Sequence, residues 1–225
     1  MRKQSGGYLF FVALLMHLAA IYFDNNSIER ITKPLLVILL VIYFIWATKG
    51  IGSNLKKWIF FALFFSWAGD VLLLFVADNP NFFLAGLVSF LITHIFYIIF
   101  FHLIRVHQDV KPKPFLLIPV LVYYVALITF LSSHLGDMKL PVRIYGVVIC
   151  FMLMLALHML YIKNKNAGLL MMIGALLFVL SDSTLAINKF YNSFSGAGIL
   201  IMLTYGIAQL LIVQGAIGYL RYDHK

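Results

Sequence analysis

Long apolar runs alternate with short polar segments along the whole chain, and this pattern predicts a bundle of membrane-spanning helices. A helix rises about 1.5 Å per residue, so about 17 to 25 apolar residues cross a hydrocarbon core about 30 Å thick. Eight such runs are predicted as spans, the second being the shortest: 7–23, 34–48, 58–77, 82–104, 115–132, 141–161, 168–187 and 198–219. They leave no room for a soluble domain, so we expect one polytopic membrane domain over residues 1–225.

The composition supports an all-α membrane protein. Hydrophobic residues make up 63% of the chain and charged residues 11%, whereas a soluble domain is about half apolar and about a quarter charged. Met1, Arg2 and Lys3 resemble the start of a signal peptide, but no small-residue cleavage site precedes Asp24, so we expect the first run to remain as a helix. The lone Cys150 permits no intramolecular disulfide.

The distribution of basic residues predicts the orientation of the bundle, because cytoplasmic loops are enriched in Lys and Arg. The side that carries both termini has 12 of them: Arg2, Lys3, Lys49, Lys56, Lys57, Arg105, Lys111, Lys113, Lys163, Lys165, Arg221 and Lys225. The opposite side has 5: Arg30, Lys33, Lys139, Arg143 and Lys189. Both termini are therefore predicted to be cytoplasmic. The net charge of +9 then indicates contact with membrane lipids, and nucleic acid is not expected as a partner.

Two aspartates, Asp70 and Asp182, interrupt these apolar runs. An ionised carboxylate in the hydrocarbon core costs at least about 2.5 to 3.5 kcal/mol, so such a residue usually faces a polar cavity and marks a site. Each aspartate lies on the third helix of a set of four, and both lie at a similar depth. We therefore expect one cavity that contains both acids. An internal repeat of two four-helix sets is one interpretation of this placement, and eight unrelated helices is the other.

A pair of carboxyls in a low-dielectric site can supply an acid and a base, because the ionisation of one opposes the ionisation of the other. That arrangement suits hydrolysis by acid-base catalysis. The structural alternative is that each aspartate accepts hydrogen bonds from neighbouring helices and only holds the bundle together. A metal site built from Asp70, His94, His158 and Asp182 has suitable ligand types but no close ligand spacing, so neither a metal nor another cofactor is expected.

Polar residues with helical spacing predict the surroundings of the pair. His94 and Tyr97 share one helix face, as do Tyr205 and Gln209. His94 has three interpretations: a proton shuttle, a hydrogen-bond donor to Asp70, or a packing residue.

Lys33 and Arg143 lie beside Pro34 and Pro141, which are predicted to open their helices. A cation beside a helix N-terminus favours an anion such as a lipid phosphate. The alternative is that both are interfacial anchors whose charged ends reach the membrane surface.

Several segments carry a family resemblance: 32–35, 66–73, 86–97, 174–183 and 205–209. They include Gly69-Asp70, His94 with Tyr97, and Ser181-Asp182. With these motifs the chain resembles the YhhN family of eight-helix membrane proteins, whose characterised animal members are lysoplasmalogenases. The resemblance implies Asp70 and Asp182 as catalytic acids. It also implies that a lysophospholipid pocket is lined by Lys33, His94, Tyr97, Ser181, Tyr205 and Gln209, with Arg143 as a further candidate for the phosphate.

The implied reaction is hydrolysis of the vinyl ether bond of a lysoplasmalogen to a fatty aldehyde and a glycerophospho-amine. One aspartate would protonate the alkene carbon while the other stays ionised, as in glycoside hydrolysis. The alternative function is a proton-coupled transporter or lipid flippase, which uses the same pair and moves its substrate without cleaving it. A third is a structural membrane protein, in which replacing the aspartates would reduce stability alone. A bacterial inner membrane suits two cytoplasmic termini, with the endoplasmic reticulum as the alternative.

Overall fold

The computed structural model describes residues 5–224, and this part of the chain is built from eight α-helices joined by short connections. They are α1 (Ser5–Tyr22), α2 (Asn26–Ala47), α3 (Lys56–Leu73), α4 (Asn81–His107), α5 (Leu117–Leu131), α6 (Lys139–His158), α7 (Lys165–Ala186) and α8 (Ala197–Asp223). A π-helical turn, Ile187–Tyr191, continues α7. The basic residues Arg2, Lys3 and Lys225, which contribute to the predicted orientation, lie outside the described residues.

Seven of the eight helices begin and end within about four residues of their predicted spans. The exception is α2, which begins at Asn26 because the side chain of Asn25 accepts a hydrogen bond from the backbone N–H of Ile28 at 3.1 Å and caps the helix. Pro34 therefore lies inside α2, and the prediction that Lys33 lies beside a helix N-terminus is wrong. A proline inside a helix is better tolerated in membranes, where neighbouring groups satisfy the freed backbone carbonyl.

Five helical segments are long and apolar enough to cross a membrane: Asn81–His107, Pro114–Leu131, Gly136–Tyr161, Lys165–Tyr191 and Ala197–Asp223. The apolar segment of α1, Gly6–Tyr22, is shorter. Charged residues near the starts of α2 and α3, and Asp70 within α3, lower the hydropathy of those two helices. Large apolar side chains cover the outside of the bundle, as on α5, where Val122 is 64% exposed. The chain is an integral membrane protein.

Two closely packed helix pairs, α3 with α4 and α7 with α8, hold the two aspartates. Glycines allow this approach: a Cβ on Gly69 would lie 2.7 Å from the ring of Phe90, and one on Gly174 would lie 2.8 Å from the backbone oxygen of Ala208. Helix α6 packs against both α4 and α7. Polar side chains of these helices, such as His94, Tyr145 and Gln209, are buried in the interior of the bundle.

Candidate active site

The carboxyl of Asp182 lies where α4, α6 and α7 meet. The hydroxyl of Tyr145 donates a hydrogen bond to Asp182 Oδ2. Nε2 of His94 lies 3.3 Å from the same oxygen and 2.8 Å from the Tyr145 hydroxyl. His94 is fully buried, whereas the Asp182 side chain is 16% exposed. Within residues 5–224 both contacts use Oδ2, so Oδ1 has no protein partner and is available to a bound molecule.

Two apolar clefts meet at Asp182. The first cleft lies between α3, α4, α6 and α7, and its apolar lining is Leu73, Phe83, Leu87, Phe90, Val142, Leu185, Ala186 and Phe190. The second cleft lies between α5, α6 and α7, and its lining includes Tyr123, Tyr124, Leu127, Ile128, Ile149, Cys150, Val179 and Ser183. Each has an empty volume of about 430 to 440 Å³ including its open mouth.

The junction of the two clefts is formed by four residues that line both: Val142 and Tyr145 from α6, and Asp182 and Ala186 from α7. An extended apolar molecule in either cleft would therefore pass beside the Asp182 carboxyl. A largely apolar site with a few convergent polar groups is the usual form of a small-molecule binding site.

Asp70 lies in a different kind of environment. It is 2% exposed, and the hydroxyl of Tyr205 donates a hydrogen bond to its Oδ2 at 2.7 Å. Gln209, on the same helix as Tyr205, bonds to two neighbouring helices. Its Nε2 donates to Ser66 Oγ on α3 at 2.7 Å, and its Oε1 accepts from the hydroxyl of Tyr97 on α4. Three of the predicted pocket residues, Tyr97, Tyr205 and Gln209, therefore come together with Asp70 in one network that joins α3, α4 and α8.

The aromatic rings of Phe90 and Phe178 pack between the two aspartate centres. Phe178 lies 4.7 Å from the ring of His94 and 5.4 Å from the ring of Tyr205, measured between centroids. Phe178 therefore packs against one partner of each carboxyl. The two clefts that reach Asp182 do not reach Asp70, so neither of them is a cavity that contains both acids. The structure has two adjacent centres.

Three further predicted site residues lie at the edge of these centres or outside them. The hydroxyl of Ser181 donates to the backbone oxygen of Ile201 at 3.0 Å and fastens α7 to α8. The guanidinium of Arg143 is exposed and donates to Ser132 Oγ at 3.0 Å. Lys33 is half-buried on α2. Neither Lys33 nor Arg143 lines the clefts that meet at Asp182.

Of the four residues considered as metal ligands, His94 and Asp182 are in contact, but His158 is not part of this group. His158 lies near the opposite end of α6 from Tyr145, and its Nε2 accepts a hydrogen bond from the backbone N–H of Lys113 at 3.1 Å. In the described part of the chain, no three His, Cys, Asp or Glu side chains are arranged to hold a metal ion.

A family comparison covers both centres. The model of the YhhN family matches residues 28–216, from α2 into α8. The chain belongs to the YhhN family. Among its relatives is the lysoplasmalogenase TMEM86B of Mus musculus, which is 32% identical over 182 residues, or 80% of this chain and 72% of the relative.

Two other relatives give similar values. The lysoplasmalogenase TMEM86B of Sus scrofa is 31% identical over 208 residues, which cover 90% of this chain and 82% of the relative. The human lysoplasmalogenase TMEM86A is 32% identical over 164 residues, which cover 71% and 65%. No solved structure matches this YhhN chain.

Tyr145, which contacts both Asp182 and His94, was not among the predicted site residues. Comparing the depths of residues along α6 and α7 could have identified this tyrosine. Tyr145 follows the start of α6 by six residues, or about 9 Å, and Asp182 precedes Tyr191 at the end of the π-helical turn by nine residues, or about 13 Å. Because α6 begins on the side where α7 ends, the two side chains lie at a similar level. Tyrosine is common in apolar segments, so its type alone gives no signal.

Proposed function

We propose that this YhhN chain hydrolyses the vinyl ether bond of lysoplasmalogens, releasing a fatty aldehyde and a glycerophospho-amine. The relatives named lysoplasmalogenase support the reaction class. The observation that carries the proposal is the position of Asp182 at the junction of two apolar clefts, with one carboxyl oxygen free. The apolar linings of these clefts suit a hydrocarbon chain, whose vinyl ether end would lie beside the carboxyl. Membrane lipids surround the protein and supply the substrate.

Asp182 acts as the acid in this proposal. A proton donor must contact the atom that it protonates, and Asp182 lines the clefts whereas Asp70 does not. Tyr145 and His94 hold Oδ2, so the proton is carried on Oδ1 and faces the substrate. Its transfer to the alkene carbon farther from the ether oxygen leaves an oxocarbenium ion, in which the carbon bonded to oxygen shares the positive charge with that oxygen.

Asp70 acts as the negative charge that stabilises this cation. A charge acts through space and does not need to contact the substrate, and it is stronger in a water-excluded interior than in solvent. The hydroxyl of Tyr205 donates a hydrogen bond to Oδ2 of Asp70, and a bond of this kind would hold a carboxylate at this position. The predicted division of labour between the aspartates is thereby kept, with each role assigned to one residue.

The remaining steps return the proton. Water adds to the oxocarbenium carbon while the Asp182 carboxylate takes one of its protons, which restores the acid and leaves a hemiacetal. The hemiacetal then breaks its bond to the glycerol oxygen, which takes the hydroxyl proton and leaves as an alcohol, and the aldehyde forms. Tyr145 keeps the orientation of Asp182 through both proton transfers.

We further propose that all eight helices cross the membrane as one domain, with both termini in the cytoplasm of a bacterial cell. The charged residues of α2 and α3 support full spans, because Glu29 and Arg30 lie near the start of α2, and Lys56 and Lys57 begin α3. Charges near helix ends reach the interface and leave the apolar remainder to span the core.

The decisive experiment measures aldehyde release from lysoplasmenyl-ethanolamine and lysoplasmenyl-choline by the purified protein. Wild type is compared with Asp182→Asn and with Asp78→Asn, which changes an exposed aspartate in the turn before α4. We expect release by wild type and Asp78→Asn, with or without a chelator, and none by Asp182→Asn. Folded wild type that releases no aldehyde but moves the lipid across proteoliposomes would support the transporter instead.

A further inference from the structure

One lysine lies at the mouth of the first cleft. Lys189 belongs to the π-helical turn that continues α7, a type of turn that often occurs at functional sites. Its Nζ lies 5.2 Å from the centroid of the Phe83 ring, and the Phe83 ring packs edge-to-face on Phe190 at 5.7 Å. Both phenylalanines line the first cleft with Asp182. The ammonium is therefore held against the rim of the cleft that leads to Asp182.

The distance from Lys189 to Asp182 matches the length of a lysophospholipid headgroup. Seven residues separate them, which is about 10 Å along the helix axis. In a lysophospholipid, five bonds separate the ether oxygen from the phosphorus, which is about 6 Å when extended. A flexible lysine side chain covers the remaining distance. A vinyl ether bond beside Asp182 would thus place the phosphate within reach of Lys189.

Other cations on the same predicted side of the membrane are engaged elsewhere or lie off the cleft. Arg143 donates to Ser132, and neither Arg143 nor Lys33 lines the first cleft. Among residues 5–224, the ammonium of Lys189 takes part in no ion pair. It remains exposed and available to an anion.

We propose that Lys189 binds the phosphate of the substrate at the mouth of the first cleft, and thereby selects phosphorylated ether lipids over neutral ones. This inference rests on the proposed function, since the ligand class follows from it. An ammonium supported by an aromatic ring and placed at the edge of an apolar cleft makes a charge-assisted contact with phosphate. Phe83 and Phe190 would keep the ammonium in place while the hydrocarbon chain lies deeper.

The test uses two non-hydrolysable probes, a saturated 1-O-alkyl lysophosphatidylethanolamine and the 1-O-alkylglycerol of the same chain length. Lys189→Gln should bind the phosphorylated probe about tenfold more weakly than wild type and bind the alkylglycerol equally well. Lys189→Arg should retain the binding. Lys139→Gln, which changes an exposed lysine at the start of α6, serves as the matched control and should bind both probes as wild type does.

Three results would overturn the inference: equal binding of the phosphorylated probe by wild type and Lys189→Gln, an equal loss for both probes, or a wild type with no preference for the phosphorylated probe. These outcomes are separate from failure of the proposed function. Binding of a saturated ether requires no catalysis, whereas the proposed function fails when folded wild type releases no aldehyde from the vinyl ether substrate.

Discussion

Asp70 and Asp182 occupy similar helices, but the surroundings of the two carboxyls differ. Asp70 lies in a closed network of phenol, amide and hydroxyl groups and is 2% exposed. Asp182 lines two clefts, and its hydrogen bonds use only one of its oxygens within the described residues. The difference teaches that accessibility limits what a carboxyl can do. An accessible carboxyl can exchange protons with a substrate, whereas an enclosed carboxyl can act only through its charge.

The hydrogen bonds of the two centres cross between the halves of the chain. Asp70 on α3 accepts from Tyr205 on α8, and Asp182 on α7 contacts His94 on α4. The third helix of each half is thus bonded to the fourth helix of the other. Two repeated four-helix units would produce this reciprocal pattern of hydrogen bonds. The internal repeat stays a prediction.

The largest expected effect separates the two carboxyls directly. Asp182→Asn removes the proton that reaches the substrate, so kcat for aldehyde release should fall by at least about a thousandfold. The measurement is steady-state hydrolysis of lysoplasmenyl-ethanolamine, with Asp78→Asn as the control. A folded Asp182→Asn variant that keeps activity within about tenfold of wild type would exclude Asp182 as the acid.

Asp70→Asn should have a smaller effect. Asparagine still accepts the hydrogen bond of Tyr205 but carries no charge, so kcat should fall about a hundredfold while KM stays unchanged. The same assay gives both constants. A loss as large as that of Asp182→Asn would mean that both carboxyls take part in proton transfer, and no loss would mean that Asp70 only holds the helices together.

Blocking the junction tests whether the substrate passes beside Asp182. Ala186→Phe places a ring where the two clefts meet, and the steric conflict of about 2 kcal/mol should reduce kcat/KM about thirtyfold. Leu180→Phe adds a ring to the same helix at a position that is 43% exposed on the lipid-facing side, and it should behave as wild type. Equal activities for the two variants would place the substrate elsewhere.

The smallest expected effects come from replacing the two tyrosines that donate to the carboxyls, Tyr145 and Tyr205. Tyr145→Phe removes a hydrogen bond to the acid and should lower kcat about tenfold. Tyr205→Phe removes the hydrogen-bond donor to Asp70 and leaves that carboxyl buried without this partner. The free energy of unfolding should therefore fall by about 1 to 3 kcal/mol. Thermal denaturation in detergent measures the stability of Tyr205→Phe. A Tyr145→Phe variant that is destabilised but keeps full kcat would contradict the role of Tyr145 in catalysis.

The helices were predictable because the hydrocarbon core imposes a length and a composition on every span. The polar surroundings of the two aspartates were predictable, because a carboxyl inside a membrane span is costly unless polar groups contact it. The start of α2 was not, since the cap at Asn25 extends the helix past Pro34 into a polar segment. The separation of the two centres was not either, because it depends on how the rings of Phe90 and Phe178 pack between helices distant in the chain.

The position of the clefts on either side of the α6–α7 contact has a consequence for product escape. In the proposed reaction, the fatty aldehyde is apolar and would partition into the surrounding lipid, whereas the glycerophospho-amine is ionic and would diffuse into water. Two clefts that meet at one carboxyl would let each product leave by a different exit and become diluted in a different compartment. Mass action then favours completion of the hydrolysis without any further source of energy.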